Sequence, residues 1–168
     1  MINGTMCFLR SERRTLFIHR TGGEEDIHNG WYVPPGGHTE RGERGIDCIL
    51  REFKQETGLK LEDARLRALI TYYNDGRILG GKRNPEDWCV EVYQASRFTG
   101  TLREEHPNAK LTWVADNDLA GLRMYPADRE ILKLLEREGV HEVIVRYLEE
   151  IAIQFEPRRV DIAANQNI

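Results

Sequence analysis

Gly36-Gly37-His38-Thr39-Glu40-Arg41-Gly42-Glu43-Arg44-Gly45-Ile46-Asp47-Cys48-Ile49-Leu50-Arg51-Glu52-Phe53-Lys54-Gln55-Glu56-Thr57-Gly58-Leu59 is a glycine-rich turn that gives way to a helical period. Ile46, Ile49, Leu50, Phe53 and Thr57 fall at i, i+3, i+4, i+7 and i+11, the stripe of a helix with one buried face over Gly45–Thr57. Gly58 is the expected stop. Glu52 and Glu56 lie off that stripe. Four residues apart, they sit ~40° apart around the axis and about 6 Å along it. Gln55 is beside them. Adjacent carboxylates repel, and an oxygen-rich cluster is what a hard divalent cation requires, usually with retained waters and substrate phosphate oxygens. The glycines before the helix allow a bare carbonyl to approach the same point. In outline this is a metal-assisted phosphoryl site.

Outward from this segment, short apolar runs alternate with turn residues. Residues 5–10 and 14–20 read as two strands joined by a tight turn at Ser11-Glu12-Arg13, and Trp31-Tyr32-Val33 as a short strand. Pro34-Pro35-Gly36-Gly37 is expected to stop any regular element. Residues 65–73, 88–95 and 110–115 are further strands. A second helix starts at Pro126, buries Ile131, Leu134 and Leu135, and is followed by Gly139. Residues 140–156 form a C-terminal strand or hairpin, covering the sheet of its own chain or that of a neighbour, so a homodimer stays open. Residues 1–156 are expected to be one α/β domain and 157–168 a flexible tail.

Composition narrows the partners. The chain has 168 residues, 24 Lys+Arg and 28 Asp+Glu, for a net charge of −4. A binder of nucleic-acid polymers normally carries a basic excess. A small phosphate ligand carried with a metal is still compatible with this charge. Cys7, Cys48 and Cys89 are odd in number and widely spaced, which disfavours a disulfide framework or structural zinc and suggests a reducing compartment. No apolar run is long enough to span a membrane, and the first residues lack the order of a signal peptide. The expectation is a cytoplasmic protein without a membrane partner.

The pattern Gly37-x5-Glu43-x7-Arg51-Glu52-Phe53-x-Gln55-Glu56-x-Gly58-Leu59 resembles the Nudix box, G-x5-E-x7-R-E-U-x-E-E-x-G-U with U apolar. Six of seven fixed residues and both apolar positions fit, within a box over 37–59. The resemblance implies a Nudix α/β/α sandwich with a mixed β-sheet. It also implies an enzyme that uses Mg²⁺ or Mn²⁺ to cleave a nucleoside diphosphate linked to another moiety by water attack at phosphorus. Carried over by position, Glu52 and Glu56 are metal ligands, Glu52 the general base, and the Gly36 carbonyl a further ligand. Arg51 pairs with Glu43 to fix the loop against the helix. The plainer alternatives are a solvated helix face for the two acids and a surface ion pair for Arg51 and Glu43.

Gln55 replaces a family glutamate. At an effective dielectric of ~20 and ~5 Å, a unit-charge pair is worth roughly 3 kcal/mol. Losing a carboxylate forfeits about twice that against a divalent cation, but relieves roughly 3 kcal/mol of repulsion from each neighbouring acid. The terms nearly offset, so one metal remains expected, with Gln55 counted among the metal-site residues. The family commonly adds an outer acid; Glu104 and Glu105 are candidates, and alignment on Trp113 instead gives Asn108.

Substrate choice comes from outside the box. Tyr125-Pro126-Ala127-Asp128 resembles the aromatic-Pro-acid-acid segment of oxidised-purine nucleoside triphosphate diphosphatases. In that resemblance Tyr125 stacks on the base and Asp128 accepts a base N–H; the alternatives are packing for Tyr125 and helix N-terminal charge for Asp128. Ala127 stands where the first acid would be, and Val33 near where those enzymes often use Asn. Arg20 and His38 are candidate phosphate contacts, and Trp31 and Tyr32 are core or cleft wall. Gly76-Arg-Ile-Leu-Gly-Gly81-Lys82 imitates a P-loop, but Arg83 replaces its Ser/Thr and Pro85 opposes its helix. His19, His28 and His38 lack zinc-site spacing. The resulting expectation is a nucleoside triphosphate pyrophosphohydrolase releasing a nucleoside monophosphate and pyrophosphate. An ADP-ribose or dinucleotide pyrophosphatase is the enzymatic alternative, and a non-catalytic nucleotide sensor the other.

Overall fold

Strands β1 (Ile2–Ser11) and β2 (Arg14–Arg20) form a hairpin closed by Glu12 and Arg13. Both turn residues have left-handed φ, 51° and 60°, as a two-residue turn matched to strand twist requires. The chain is described here by a computed structural model covering residues 1–26, 28–74, 78–79, 82–83, 86–103, 108–148 and 152–160. Then follow β3 (Tyr32–Val33), β4 (Gly36–His38), α1 (Gly45–Thr57), β5 (Leu59–Leu61), β6 (Arg65–Tyr73), β7 (Ile78–Leu79) and β8 (Lys82–Arg83). The second half comprises β9 (Trp88–Ala95), β10 (Phe98–Gly100), β11 (Ala109–Ala115), a 3-10 turn at Asp116–Gly121, α2 (Pro126–Leu134), β12 (His141–Tyr147) and β13 (Ile153–Arg159).

The main sheet is mixed, in the order β11-β2-β1-β9-β6-β12-β13, with β3 on β2 and β4 on β1. The β1–β9 and β6–β12 pairs are parallel. Alternation along β1 explains the layers. Cys7 and Leu9 face α1 with Ile49, Phe53, Leu16 and Tyr93, whereas Phe8 faces the α2 side with Ile131, Val92 and Val143. Full burial of Ile49 and Phe53 stabilises the α1 contact by roughly 1.5–3 kcal/mol each. The result is a sheet between two helices.

Several expectations need correction. Gly36–His38 does not end regular structure; it is β4, antiparallel to β1 with Gly4 opposite His38 and Met6 opposite Gly36. The missing side chain makes this pairing possible, because a Cβ on Gly36 would lie 2.0 Å from the Thr5 carbonyl oxygen. Leu50, placed in the buried stripe, is exposed; Cys48 is buried instead, beneath the carbonyl of His38 that accepts its Sγ–H at 3.4 Å. Residues 140–156 do form a hairpin, β12–β13, which extends the chain's own sheet. Pro157–Arg159, expected in a loose tail, complete β13 by pairing with His141–Val143. Proline is accommodated there because β13 is the edge strand. Val160 N–H donates to the Val140 carbonyl at 2.8 Å, and the rest of the expected tail, 161–168, lies outside the described residues.

Most of the P-loop imitation also lies outside the described residues. Its described parts, β7 and β8, form a two-residue antiparallel ladder rather than a helix N-terminus. No helix among the described residues is long and apolar enough to cross a membrane.

Candidate active site

The site is built where β4 meets α1. Gly36 N–H donates to Glu56 Oε2 at 2.9 Å, tying the end of the helix to the glycine strand. One turn earlier, Glu52 covers Gly37 so closely that a Cβ there would lie 2.3 Å from its carboxyl carbon. Two carboxylates therefore converge on a glycine pair without side chains. Burial pushes the Glu56 carboxyl up to about 7, reinforced by the charge of Glu52 and opposed by the Gly36 N–H and Arg20. Glu52 lies one helical turn before Glu56, and Arg20 lines the same cavity as Gly36.

Arg51 fixes the loop. Its Nε and Nη2 make a fork with Glu43 at 2.8 Å each, Nη2 also donates to the His38 carbonyl at 3.2 Å, and Nη1 pairs with Glu52. The Arg51 fork and the Glu40 N–H hold the Glu43 carboxyl down at about 2. This is more specific than a lone surface ion pair, because the same guanidinium holds the loop acid, the loop backbone and a site carboxylate.

These residues suit a divalent cation. Two carboxylates drawn together against their mutual repulsion, beside an unencumbered glycine backbone, match the set of one or two acids that Mg²⁺ takes with waters and phosphates. Gln55 is exposed on the same helix. Glu104 and Glu105 lie outside the described residues, and the Asn108 backbone carbonyl accepts from Thr21 N–H.

A cavity of about 450 Å³ opens from the glycine strand. Arg20, His38, Tyr125 and Asp128, the four expected substrate contacts, all line it. Arg20 is held by Asp26 at 3.1 Å. His38 is exposed, with its ring 5.0 Å from that of Trp88. Tyr125 stacks on Trp31 at 4.4 Å and hydrogen-bonds His28, and the Arg123 guanidinium lies over the Trp31 ring at 4.8 Å. Asp128 is buried at the first turn of α2. The three histidines lie against three different rings, His19 on Tyr32, His28 on Tyr125 and His38 on Trp88.

Trp88, Tyr72, Asn74 and Tyr147 complete the wall and were not singled out in the sequence. The available signals were a tryptophan opening an alternating strand and a polar residue directly after one. Their convergence depends on the pairing of β9, β6 and β12.

Sequence comparison agrees with this arrangement. The model of the NUDIX domain family matches residues 2–135. The chain belongs to the Nudix family. An uncharacterised Nudix hydrolase of Bacillus subtilis (strain 168), YvcI, is 30% identical over 131 residues, covering 78% of this chain and 77% of the relative. A MutT Nudix hydrolase from Burkholderia pseudomallei has a similar structure, with TM-score 0.66 and 26% identity over 80% of this chain and 97% of that one. A MutT protein from Bacillus halodurans shares the fold at TM-score 0.77 and 21% identity, covering 94% and 97% of the two chains. Membership makes this a Nudix hydrolase, of a family that cleaves pyrophosphate bonds in nucleotide substrates with divalent metals.

Proposed function

We propose that this Nudix hydrolase cleaves a nucleoside triphosphate to a nucleoside monophosphate and pyrophosphate, using Mg²⁺ or Mn²⁺. The observation that carries the reading is the convergence of Glu52 and Glu56 on Gly36–Gly37 at the mouth of an aromatic-lined cavity. Glu52, Glu56 and the Gly36 carbonyl hold the cation. The bound ion supplies Lewis acidity and lowers the pKa of water. Glu56 is oriented by the Gly36 N–H, and Glu52 accepts the proton of the attacking water. Arg51 and Glu43 hold the loop so that the two acids and the carbonyl share one point. Arg20, beside Glu56, takes phosphate charge; Tyr125 and Asp128 contact the base, with an oxidised purine among the candidates.

The exposure of Gln55 favours catalysis over the sensor reading. The departure from the family pattern falls on the solvated side of α1, and the two retained acids are the ones packed against the strand.

Incubation with nucleoside triphosphates, dinucleotides and ADP-ribose in Mg²⁺ or Mn²⁺, with identification of products, tests the proposal. Monophosphate and pyrophosphate, formed only with a divalent ion, are expected from a triphosphate. Two monophosphates from a dinucleotide or ADP-ribose alone would move the substrate to the other linkage. Binding without product would make the protein a sensor.

A further inference from the structure

The cavity crosses the sheet from β4 over β1, β9 and β6 to Tyr147 of β12, and the end of β6 lies three interstrand steps, or about 14 Å, from β4. At that far end Asn74 follows β6 and is fully buried. Its backbone N–H donates to Asp87 Oδ1 at 3.1 Å, and its side-chain Nδ2 donates to the Glu86 carbonyl at 2.6 Å. The second bond fixes the amide orientation, because a carbonyl accepts only from the NH₂ end. Oδ1 is then the free end, and it has no hydrogen-bond partner among the described residues. Burying an amide oxygen without a donor is unfavourable, and native structures rarely leave one so. The same residue lines the cavity with Tyr72, Trp88 and Asp128.

We propose that Asn74 selects the base: its Oδ1 accepts a hydrogen bond from an exocyclic amino group of a nucleobase packed against Trp88. This rests on the reading that the cavity holds the substrate nucleotide. With Nδ2 committed to Glu86, Asn74 offers the ligand an acceptor and no donor. A base carbonyl at this point would set oxygen against oxygen, whereas an amino group completes the network. Gly4 keeps the approach open, since a Cβ there would lie 3.1 Å from the Gly37 carbonyl oxygen and 3.9 Å from the Trp88 ring. The substrate class is therefore an amino-bearing nucleotide in preference to a counterpart that lacks that amino group.

Matched pairs test this: GTP against ITP, ATP against purine riboside triphosphate, and CTP against UTP, with Mg²⁺, in wild type and Asn74→Leu. In wild type at least one amino-bearing member is expected to be favoured in kcat/KM by about 10-fold or more. Asn74→Leu brings that ratio to within about twofold of unity. Binding of GMP, IMP, AMP and purine riboside monophosphate to wild type, by calorimetry, gives the same ratio without turnover and without dependence on the variant's folding. Ratios near unity for every wild-type pair, or a ratio that survives in Asn74→Leu, overturn the proposal and leave the hydrolase reading intact; a structural water on Oδ1 would give that result. Selective binding without hydrolysis overturns the hydrolase reading and retains Asn74. Absence of binding by any nucleotide overturns both.

Discussion

Replacing Glu56 by Gln is expected to stabilise the metal-free protein while abolishing its activity. Glu56 is buried beside Glu52, and its carboxyl is raised from 4.5 to about 7. A group raised in the fold keeps its proton in the native state after the unfolded chain has lost it. Its contribution is present below about 4.5 and is lost as pH rises from there through about 7. At ~1.4 kcal/mol for each pH unit crossed, ionisation of Glu56 costs the metal-free fold about 3 kcal/mol above pH 7. Glutamine has no charge to bury, and its amide oxygen still accepts from Gly36 N–H. Urea denaturation in chelator, wild type against Glu56→Gln, measures the difference. The variant is expected to gain about 3 kcal/mol at pH 8 and under ~1 kcal/mol at pH 5. Comparing the two proteins at each pH cancels other titrating groups, His141 among them. With Mg²⁺ present the same variant should show no turnover. An equal difference at both pH values, or lower stability of the variant at pH 8, would refute the argument that a buried acid is held there at the expense of the fold.

The two box-entry glycines should separate fold from site. Gly36→Ala forces a Cβ onto the Thr5 backbone and should lower unfolding stability by roughly 2 kcal/mol or more; Gly37→Ala meets first the Glu52 side chain rather than backbone, and should leave the unfolding midpoint nearly unchanged while weakening Mn²⁺ binding at least ~10-fold. Equal effects on both readouts would contradict the distinction. Arg51→Lys keeps the charge but loses the fork to Glu43, and kcat should fall ~10–100-fold with an unchanged circular dichroism spectrum. A loss under twofold would make Arg51 a surface residue.

Local features of the chain were legible because one physical cause dominates each. The spacing of Ile49, Phe53 and Thr57 gave α1, and Gly58, at φ 80°, ended it. Pro126 opened α2 for the reason expected, its missing N–H falling in the first turn. Pairing across the fold was harder to infer. Gly36–His38 has no strand-forming side chains, and becomes β4 because β1 offers a backbone edge that only glycine can approach. Leu50 fits the helical period but sits at the margin of the buried arc, while Cys48 takes the buried place under the loop carbonyl.

The candidate site divides in the same way. Glu43, Arg51, Glu52 and Glu56 lie within one short segment, so their spacing alone carried the arrangement. Asn74, Trp88 and Tyr147 come from strands brought together by the β9-β6-β12 order, and no spacing in the chain announces that neighbourhood. The orphan oxygen of Asn74 is a fact of hydrogen-bond accounting and has no sequence signature. Trp31 and Arg123 are similar: their stack behind Tyr125 is a tertiary contact that restrains this wall of the cavity.

The central claim is that Glu52, Glu56 and the Gly36 carbonyl grip one cation against a polyphosphate. Crystals soaked in Mn²⁺ with a non-hydrolysable nucleoside triphosphate analogue test it through the anomalous signal of the metal. A peak within about 2.0–2.6 Å of both carboxylates and the Gly36 oxygen is expected, with phosphate oxygens completing the shell. Bound nucleotide with Mn²⁺ only at a different place, and Glu52 still paired to Arg51 alone, would contradict it.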